Sequence, residues 1–264
     1  MNANVKLIVT DLDGTLLRGD KAISSYTEEV LRRCRERDIL FAFATSRSEN
    51  ASSRFAAMAN PDITITSGGS IAKYAGKTLF RTAISIETAT DIIEKLKSSD
   101  QIVQITADSE DFYFTSKPID RNWLGWRDYA NAVVTDFASP LPVPDVFKIT
   151  VKACSSAAVR ALVSSFDSVD VMQFTGESWN QIKSRRASKH NALAAVIRHL
   201  RIRPQQVVVF GDDANDLDMM ALPGVVSVAM ENAIDEVKVA ADFVCSSNDE
   251  DGVAKWLEEH ILCA

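Results

Sequence analysis

The segment Val5-Lys6-Leu7-Ile8-Val9-Thr10-Asp11-Leu12-Asp13-Gly14-Thr15-Leu16 begins as a short apolar run rich in β-branched residues, the pattern of a buried strand. It then delivers two carboxylates, Asp11 and Asp13, with one apolar residue between them, and Gly14-Thr15 bends the chain away. Burying a carboxylate without a partner is costly, so a buried strand does not ordinarily end in two acids. Either Asp-Gly is turn chemistry at a polar strand exit, or the two acids open a site. The rest of the chain decides between them.

Working outward, the same strand-to-polar pattern recurs. Ser25-x-x-Glu28 has the form of a capping box, followed by Val30, Leu31 and Cys34 on one helical face. Ile39–Ala44 is an unbroken apolar run that ends in Thr45-Ser46-Arg47, and a helix bearing Ala51, Phe55 and Met58 follows. Ile63–Thr66 is a third strand, closed by Ser67-Gly68-Gly69-Ser70. Strand–helix alternation of this kind predicts a parallel α/β sheet with right-handed crossovers. Sites in such sheets lie at the carboxyl ends of the strands, where Asp11, Thr45 and Ser67 would gather.

Ile71 to Ile84 reads as a hairpin about Ala75-Gly76-Lys77. The pattern then changes to a helix with Ala89, Ile92, Ile93 and Leu96, strands at Ile102–Thr106 and Phe112–Thr115, and a helix over Arg121–Tyr129. The proline-rich Ser139–Pro144 cannot be a central strand. Phe147–Lys152, Val169–Phe174 and Trp179–Lys183 read as further strands. This block, 84–184, is expected to be an inserted α+β domain, with 1–83 and 185–264 forming the core. The core pattern resumes with Ser188-Lys189 opening a helix through Leu193, Val196, Ile197 and Leu200. Val207–Phe210 is a fully apolar strand that runs into Gly211-Asp212-Asp213-Ala214-Asn215-Asp216. Val225–Val228, Phe243–Cys245 and a last helix with Val253, Trp256, Leu257 and Ile261 complete it.

Taken together, Asp11-Leu-Asp13-Gly-Thr-Leu, Thr45, Lys189 and Gly211-Asp212-x-x-Asn215-Asp216 resemble the four ordered motifs of the haloacid dehalogenase (HAD) superfamily. The insertion between the second and third resembles the large α/β cap of its Cof-type phosphatases. The resemblance implies a Rossmann-like core and phosphoryl transfer through a phospho-aspartate. Asp11 would be the nucleophile and Asp13 the general acid/base. Thr45 and Lys189 would hold the phosphoryl group, with Ser46, Arg47 and Asn215 also toward substrate and Asn215 alternatively steadying Lys189. Asp11, the Asp13 carbonyl, Asp212 and Asp216 would hold Mg²⁺, Asp216 through water or as an orienting group. The second motif usually reads Thr-Gly-Arg, and here Ser46 replaces the glycine. Ser67-Gly68 stands where Asn-Gly is common.

Charge explains the need for a cation. Asp11 and Asp212 add to a phosphate that carries about −1.5 to −2, more than one divalent ion neutralises. The implied activity is hydrolysis of small phosphorylated metabolites, whether sugar or cofactor phosphates. A phosphomutase-type phosphotransferase and a catalytically silent ligand-binding regulator are the alternatives.

Composition narrows the setting. The chain has 264 residues, 46% of them apolar, enough for a substantial core. A formal net charge of −7 argues against a nucleic-acid or anionic-membrane surface. Cys34, Cys154, Cys245 and Cys263 have no metal or redox spacing, which fits a reducing compartment. No leader pattern and no apolar run of roughly 18 residues is found. A cytoplasmic monomer or weak dimer is the expectation. His190, His199 and His260 are expected to have structural or surface roles, and the Trp123/Trp126/Arg127 cluster and Trp179 to be core, with a lid over the leaving group as the alternative.

Overall fold

The apolar strands need partners on both edges and cover on both faces, and the computed structural model, which describes residues 4–120, 129 and 132–263, supplies them. The chain divides into two units. One comprises Met1–Arg47, Ser52–Arg81 and Ser188–Ala264, the other Ser48–Ala51 and Thr82–Ala187.

The first unit is built on an eight-stranded sheet. Strands β1 (Leu7–Thr10), β2 (Leu40–Ala44) and β3 (Ile63–Thr66) run parallel, and the hairpin β4 (Ile71–Tyr74) and β5 (Lys77–Arg81) closes that edge antiparallel. On the other side of β1 lie β14 (Val207–Gly211), β15 (Val226–Met230) and β16 (Phe243–Cys245), all parallel. Every residue of β1 and β14 is buried, which is why both read as continuous apolar runs rather than alternating ones. The chain leaves β1 toward β2 on one side and returns on the other as β14. The order therefore reverses at β1, and the crevice at the carboxyl ends of β1 and β14 is the topological switch point. Helices α1 (Ser25–Arg35), α5 (Lys189–Leu200) and α8 (Gly252–Leu257) contribute Val30, Leu193 and Trp256 to this core.

In the second unit, β7 (Ile102–Asp108), β8 (Tyr113–Thr115), β11 (Lys148–Ala153), β12 (Val169–Gln173) and β13 (Trp179–Ser184) form a sheet with the short β9 (Val133–Val134). Ile105, Ala107, Ile149, Val151 and Ile182 share a core with Ala89, Ile92 and Val159 of α3 (Ile86–Lys97) and α4 (Ser156–Val163). The alternate residues of the same strands are polar. Gln181, Thr150, Thr106 and Thr115 align across four strands, as do Lys183, Lys148, Asp108 and Tyr113.

Two differences from expectation are local. The hairpin ends at Arg81, and Ile84–Ser85 (β6) pairs instead with Asp145–Val146 (β10), immediately after the proline-rich loop. Strand β7 runs two residues past Thr106, because its ladder with β11 continues to Asp108↔Lys148. The helix expected over Arg121–Tyr129, with Trp123, Trp126 and Arg127, lies outside the described residues apart from Tyr129.

Candidate active site

Asp11 is the first residue past β1, and its N–H still donates to Phe210 O on β14 at 3.1 Å. That bond carries the β1–β14 ladder one step beyond the strand, so a carboxylate is delivered into a position only 5% exposed. Gly14 then turns the chain at φ +81°, and a Cβ there would lie 2.2 Å from Asp212 Oδ2. Glycine is therefore required twice, for the left-handed backbone and for the close approach of the acid. The adjacent Thr15 hydroxyl donates to Asp212 Oδ1 at 2.6 Å.

Lys189 enters from the first turn of α5, where the Ser188 side chain caps the helix by accepting from Asn191 N–H. Gly69, at φ +85°, makes room for that turn, since a Cβ would sit 2.2 Å from the Ser188 carbonyl carbon. The Lys189 ammonium is 2% exposed and donates to Asp11 Oδ1 at 2.8 Å and Asp216 Oδ1 at 2.6 Å. The other oxygen of Asp216 accepts from the Asp212 and Asp213 N–H groups at 3.0 and 3.2 Å. Both oxygens of Asp216 thus accept from protein donors. It is Asp216 that steadies Lys189, and not Asn215, the alternative raised from the sequence. Asn215 Nδ2 instead donates to Ser46 Oγ at 3.1 Å.

The electrostatics are unbalanced. Burial raises the Asp11 carboxyl well above its usual range, Lys189 pulls it down, and the charges of Asp216, Asp212 and Asp13 push it up again. Burial and then the Asp216 charge push Asp212 up to about 7. Burial works against the Lys189 charge, yet Asp11 and Asp216 outweigh it and keep the ammonium protonated. With all three ionised, the carboxylates of Asp11, Asp212 and Asp216 against one ammonium leave two negative charges in excess. One ligand atom from each of Asp11, Asp212 and Asp216 lies within 4.8 Å of the others. That hard-oxygen donor set and that excess fit a divalent cation, which Asp11 and Asp212 would hold.

Asp13 is in the opposite condition. Arg47 meets its carboxylate as a fork, Nε to Oδ2 at 2.6 Å and Nη2 to Oδ1 at 2.9 Å, and Lys21 Nζ approaches Oδ1 at 2.7 Å. Burial favours the neutral form, but the hydrogen bonds and charges of Arg47 and Lys21 outweigh it and hold the carboxyl at about 2.

The sequence model of the haloacid dehalogenase-like hydrolases matches residues 8–257. The chain belongs to that family. Its relatives include the stress response protein YhaX of Bacillus subtilis, 26% identical across 97% of this chain and 93% of the relative. Another is the 5-amino-6-(5-phospho-D-ribitylamino)uracil phosphatase YwtE of the same organism, 25% identical across 97% and 98%. A haloacid dehalogenase-like hydrolase from Bacteroides thetaiotaomicron superposes with a TM-score of 0.85 at 24% identity, covering 97% of this chain and 99% of that one. The HAD subclass IIB sugar phosphatase BT4131 superposes with a TM-score of 0.81 at 20% identity, covering 97% and 98%. This hydrolase is an enzyme, and its family and relatives make it a phosphatase.

The second motif of this HAD hydrolase follows β2. Thr45 is buried, and its hydroxyl accepts from Arg47 N–H at 3.1 Å. Ser67, at φ +53°, donates its N–H to Arg47 O, and its buried hydroxyl has no partner among the described residues. Thr45, Ser46, Arg47 and Asn215 form one connected run, and Asp11, Lys189, Asp212 and Asp216 another. The three histidines lie in neither. His190 Nδ1 is 3.0 Å from Asp218 O, His199 meets Tyr74 edge-on, and His260 stacks on Trp256. Two participants went unnoticed in the sequence. Thr15 stands within the first motif and could have been suspected. Lys21 lies in a loop with no pattern to announce it.

Proposed function

We propose that this phosphatase is Mg²⁺-dependent and hydrolyses small phosphorylated metabolites, sugar or cofactor phosphates, through a phospho-aspartate. The observation that carries the reading is the Asp11 carboxylate held, together with Asp216, by one buried ammonium, with Asp212 as a third acid in the same cluster. A bound divalent ion would offset that acidity and the charge of the phosphoryl group. Asp11, oriented by Lys189, attacks phosphorus through its carboxylate oxygen while the bond to the leaving oxygen breaks. Lys189 and the Thr45 hydroxyl hold the phosphoryl oxygens.

Asp13 gives a proton to the leaving oxygen in the first half and takes one from water in the second, so each turnover restores it. Without substrate its two cations keep it ionised. The arriving phosphoryl charge opposes them and raises Asp13 toward the protonated form. The substrate class is supported by relatives such as YwtE, whose substrate carries a phosphorylated ribityl chain. We read 84–184 as a cap domain that selects the leaving group, with 1–83 and 185–264 as the catalytic core.

The test is p-nitrophenyl phosphate turnover with Mg²⁺, with EDTA, and with Asp11→Asn. The variant keeps the shape of the side chain and loses the nucleophile. Turnover in wild type that both EDTA and the substitution abolish is expected. Activity that survives Asp11→Asn overturns the covalent mechanism.

A further inference from the structure

The loop after β15 holds none of the four motifs, yet it grips both loops that deliver the acids. Asn232 Nδ2 donates to Gly14 O at 2.8 Å, in the turn that follows Asp13. Two residues on, Ile234 N–H donates to Asp212 O at 3.0 Å. Asn232 is itself held, since its Oδ1 accepts from Asn248 N–H at 3.0 Å. Asn248 is buried, and its Nδ2 donates to Leu17 O at 2.8 Å. The two asparagines thus take the carbonyls at either end of Gly14–Leu17. We infer that Asn232 is a positioning residue for the metal centre, setting the Asp13 carbonyl at a fixed place relative to Asp212. This rests on the reading above that the acids hold a divalent cation.

Gly14 is where the first-motif loop is least able to hold its own shape. Its φ is +81°, and glycine takes φ of either sign about equally well. The peptide before Gly14 carries the Asp13 carbonyl, and the peptide after it carries Gly14 O. The two are joined only through the soft dihedrals of a residue without a side chain. Fixing the second peptide against Asn232 restrains the first. The turn's own bonds do this poorly, with Thr15 N–H 3.4 Å from Leu12 O and Leu16 N–H 3.3 Å from Asp11 O. The Asn232 amide has no freedom to turn over, because Nδ2 faces a carbonyl and Oδ1 faces an N–H. Because Ile234 leaves the same short loop for Asp212, the two acid-bearing loops share one support. Asn232 is exposed, so shortening it opens no core cavity. The far half of the first-motif loop is fastened separately. Gly19 N–H donates to Asp249 Oδ1 at 2.7 Å and Arg18 Nε to Asp251 Oδ1 at 3.1 Å.

The experiment measures Mg²⁺ binding by calorimetry on the resting protein, melting temperature with and without Mg²⁺, and the Mg²⁺ dependence of p-nitrophenyl phosphate turnover. Wild type, Asn232→Ala and Asn232→Asp are compared. Asn232→Ala is expected to raise the Mg²⁺ Kd about tenfold, the lower end of what loss of a group supporting a metal ligand costs. The metal-free melting temperature should hold, and the rise that Mg²⁺ brings should shrink. Asn232→Asp keeps an oxygen for Asn248 N–H but sets another against Gly14 O. Its added negative charge alone would tighten cation binding, so weaker binding is the outcome that marks positioning. An unchanged Kd in Asn232→Ala, a lowered metal-free melting temperature with unchanged Kd, or tighter binding in Asn232→Asp overturns the assignment. If wild type binds Mg²⁺ and Asn232→Ala binds it equally, only this inference falls. If wild type binds no Mg²⁺ and turns over in EDTA, the metal reading falls and takes the inference with it.

Discussion

Lys189 illustrates how a residue of ordinary character acquires a role by placement. A lysine at a helix start is usually solvated, and this one is buried between Asp11 and Asp216. Removing it leaves two carboxylates facing each other and, during turnover, an anion facing an anion. Lys189→Met is expected to lower kcat/KM by about 10²-fold or more, the range found when a preorganised charge-stabilising group is lost. Breaking a buried ion pair also costs about 3–5 kcal/mol, so the melting temperature should fall at neutral pH. It should recover in part in acid, where the stranded carboxylates protonate. Steady-state kinetics and thermal melts across pH check both effects, and activity within twofold of wild type would leave Lys189 a structural role only.

At the scale of an element, the loop after β14 holds its shape through one side chain. Asp216 accepts two backbone N–H groups of its own loop and reaches back to Lys189 on α5. The loop is thereby fastened to a helix distant in sequence, and Asp212 is aimed by the fastening. Asp216→Ala strands two N–H groups, for which about 1–3 kcal/mol is the ordinary penalty. The expected result is a lower melting temperature together with a weaker Mg²⁺ requirement curve, half-saturation moving to higher metal concentration. Lowered stability with an unchanged metal dependence would mean that Asp216 does not position Asp212.

For the whole molecule, the imbalance of charge makes stability depend on pH and metal together. Asp212 rises from an ordinary 3.8 to about 7 in the folded protein through burial and the Asp216 charge. A carboxyl raised on folding contributes stability fully below about pH 4 and loses it as pH climbs through about 7. Asp13 has the opposite sign. Held at about 2, it contributes above its ordinary 3.8 and loses that contribution only in strong acid. Metal-free protein should therefore melt at falling temperature from about pH 5 to about pH 8. Asp212→Asn should flatten the fall, and Mg²⁺ should raise the melting temperature more at pH 8 than at pH 5. Equal stabilisation at both pH values would contradict the charge account. The second unit offers a separate test. Gln181 is fully buried with neither amide atom hydrogen-bonded among the described residues, and Asp108, likewise buried, has Lys148 Nζ 3.6 Å from its carboxylate. An unpartnered amide contributes nothing to stability, so Gln181→Leu should be neutral or stabilising. Thermal melts of the variant check this, and a clearly lower melting temperature would overturn it.

The sequence by itself determined the strands and the acids that follow them. β2 and β14 are apolar throughout, and β1 as far as Thr10, because both faces and both edges are covered, and such runs are legible without context. The first and fourth motifs were legible for a similar local reason, since Asp11, Asp13, Asp212 and Asp216 each follow a strand within a few residues, whereas Thr45 and Lys189 stood out only through the resemblance to the family. What only the tertiary structure decided was pairing across long separations. Asp216 and Lys189 are 27 positions apart, Lys189 and Asp11 178. No pattern in either segment says which acid takes the ammonium, and the sequence reading offered Asn215 only as an alternative partner for it. Lys21 is the plainest case. It lies eight residues beyond Asp13 in a loop of Arg, Gly, Asp and Lys that reads as solvent-exposed. Its position depends on Asp249 and Asp251 near the other end of the chain, and spacing records nothing of a contact that the folded core alone brings about.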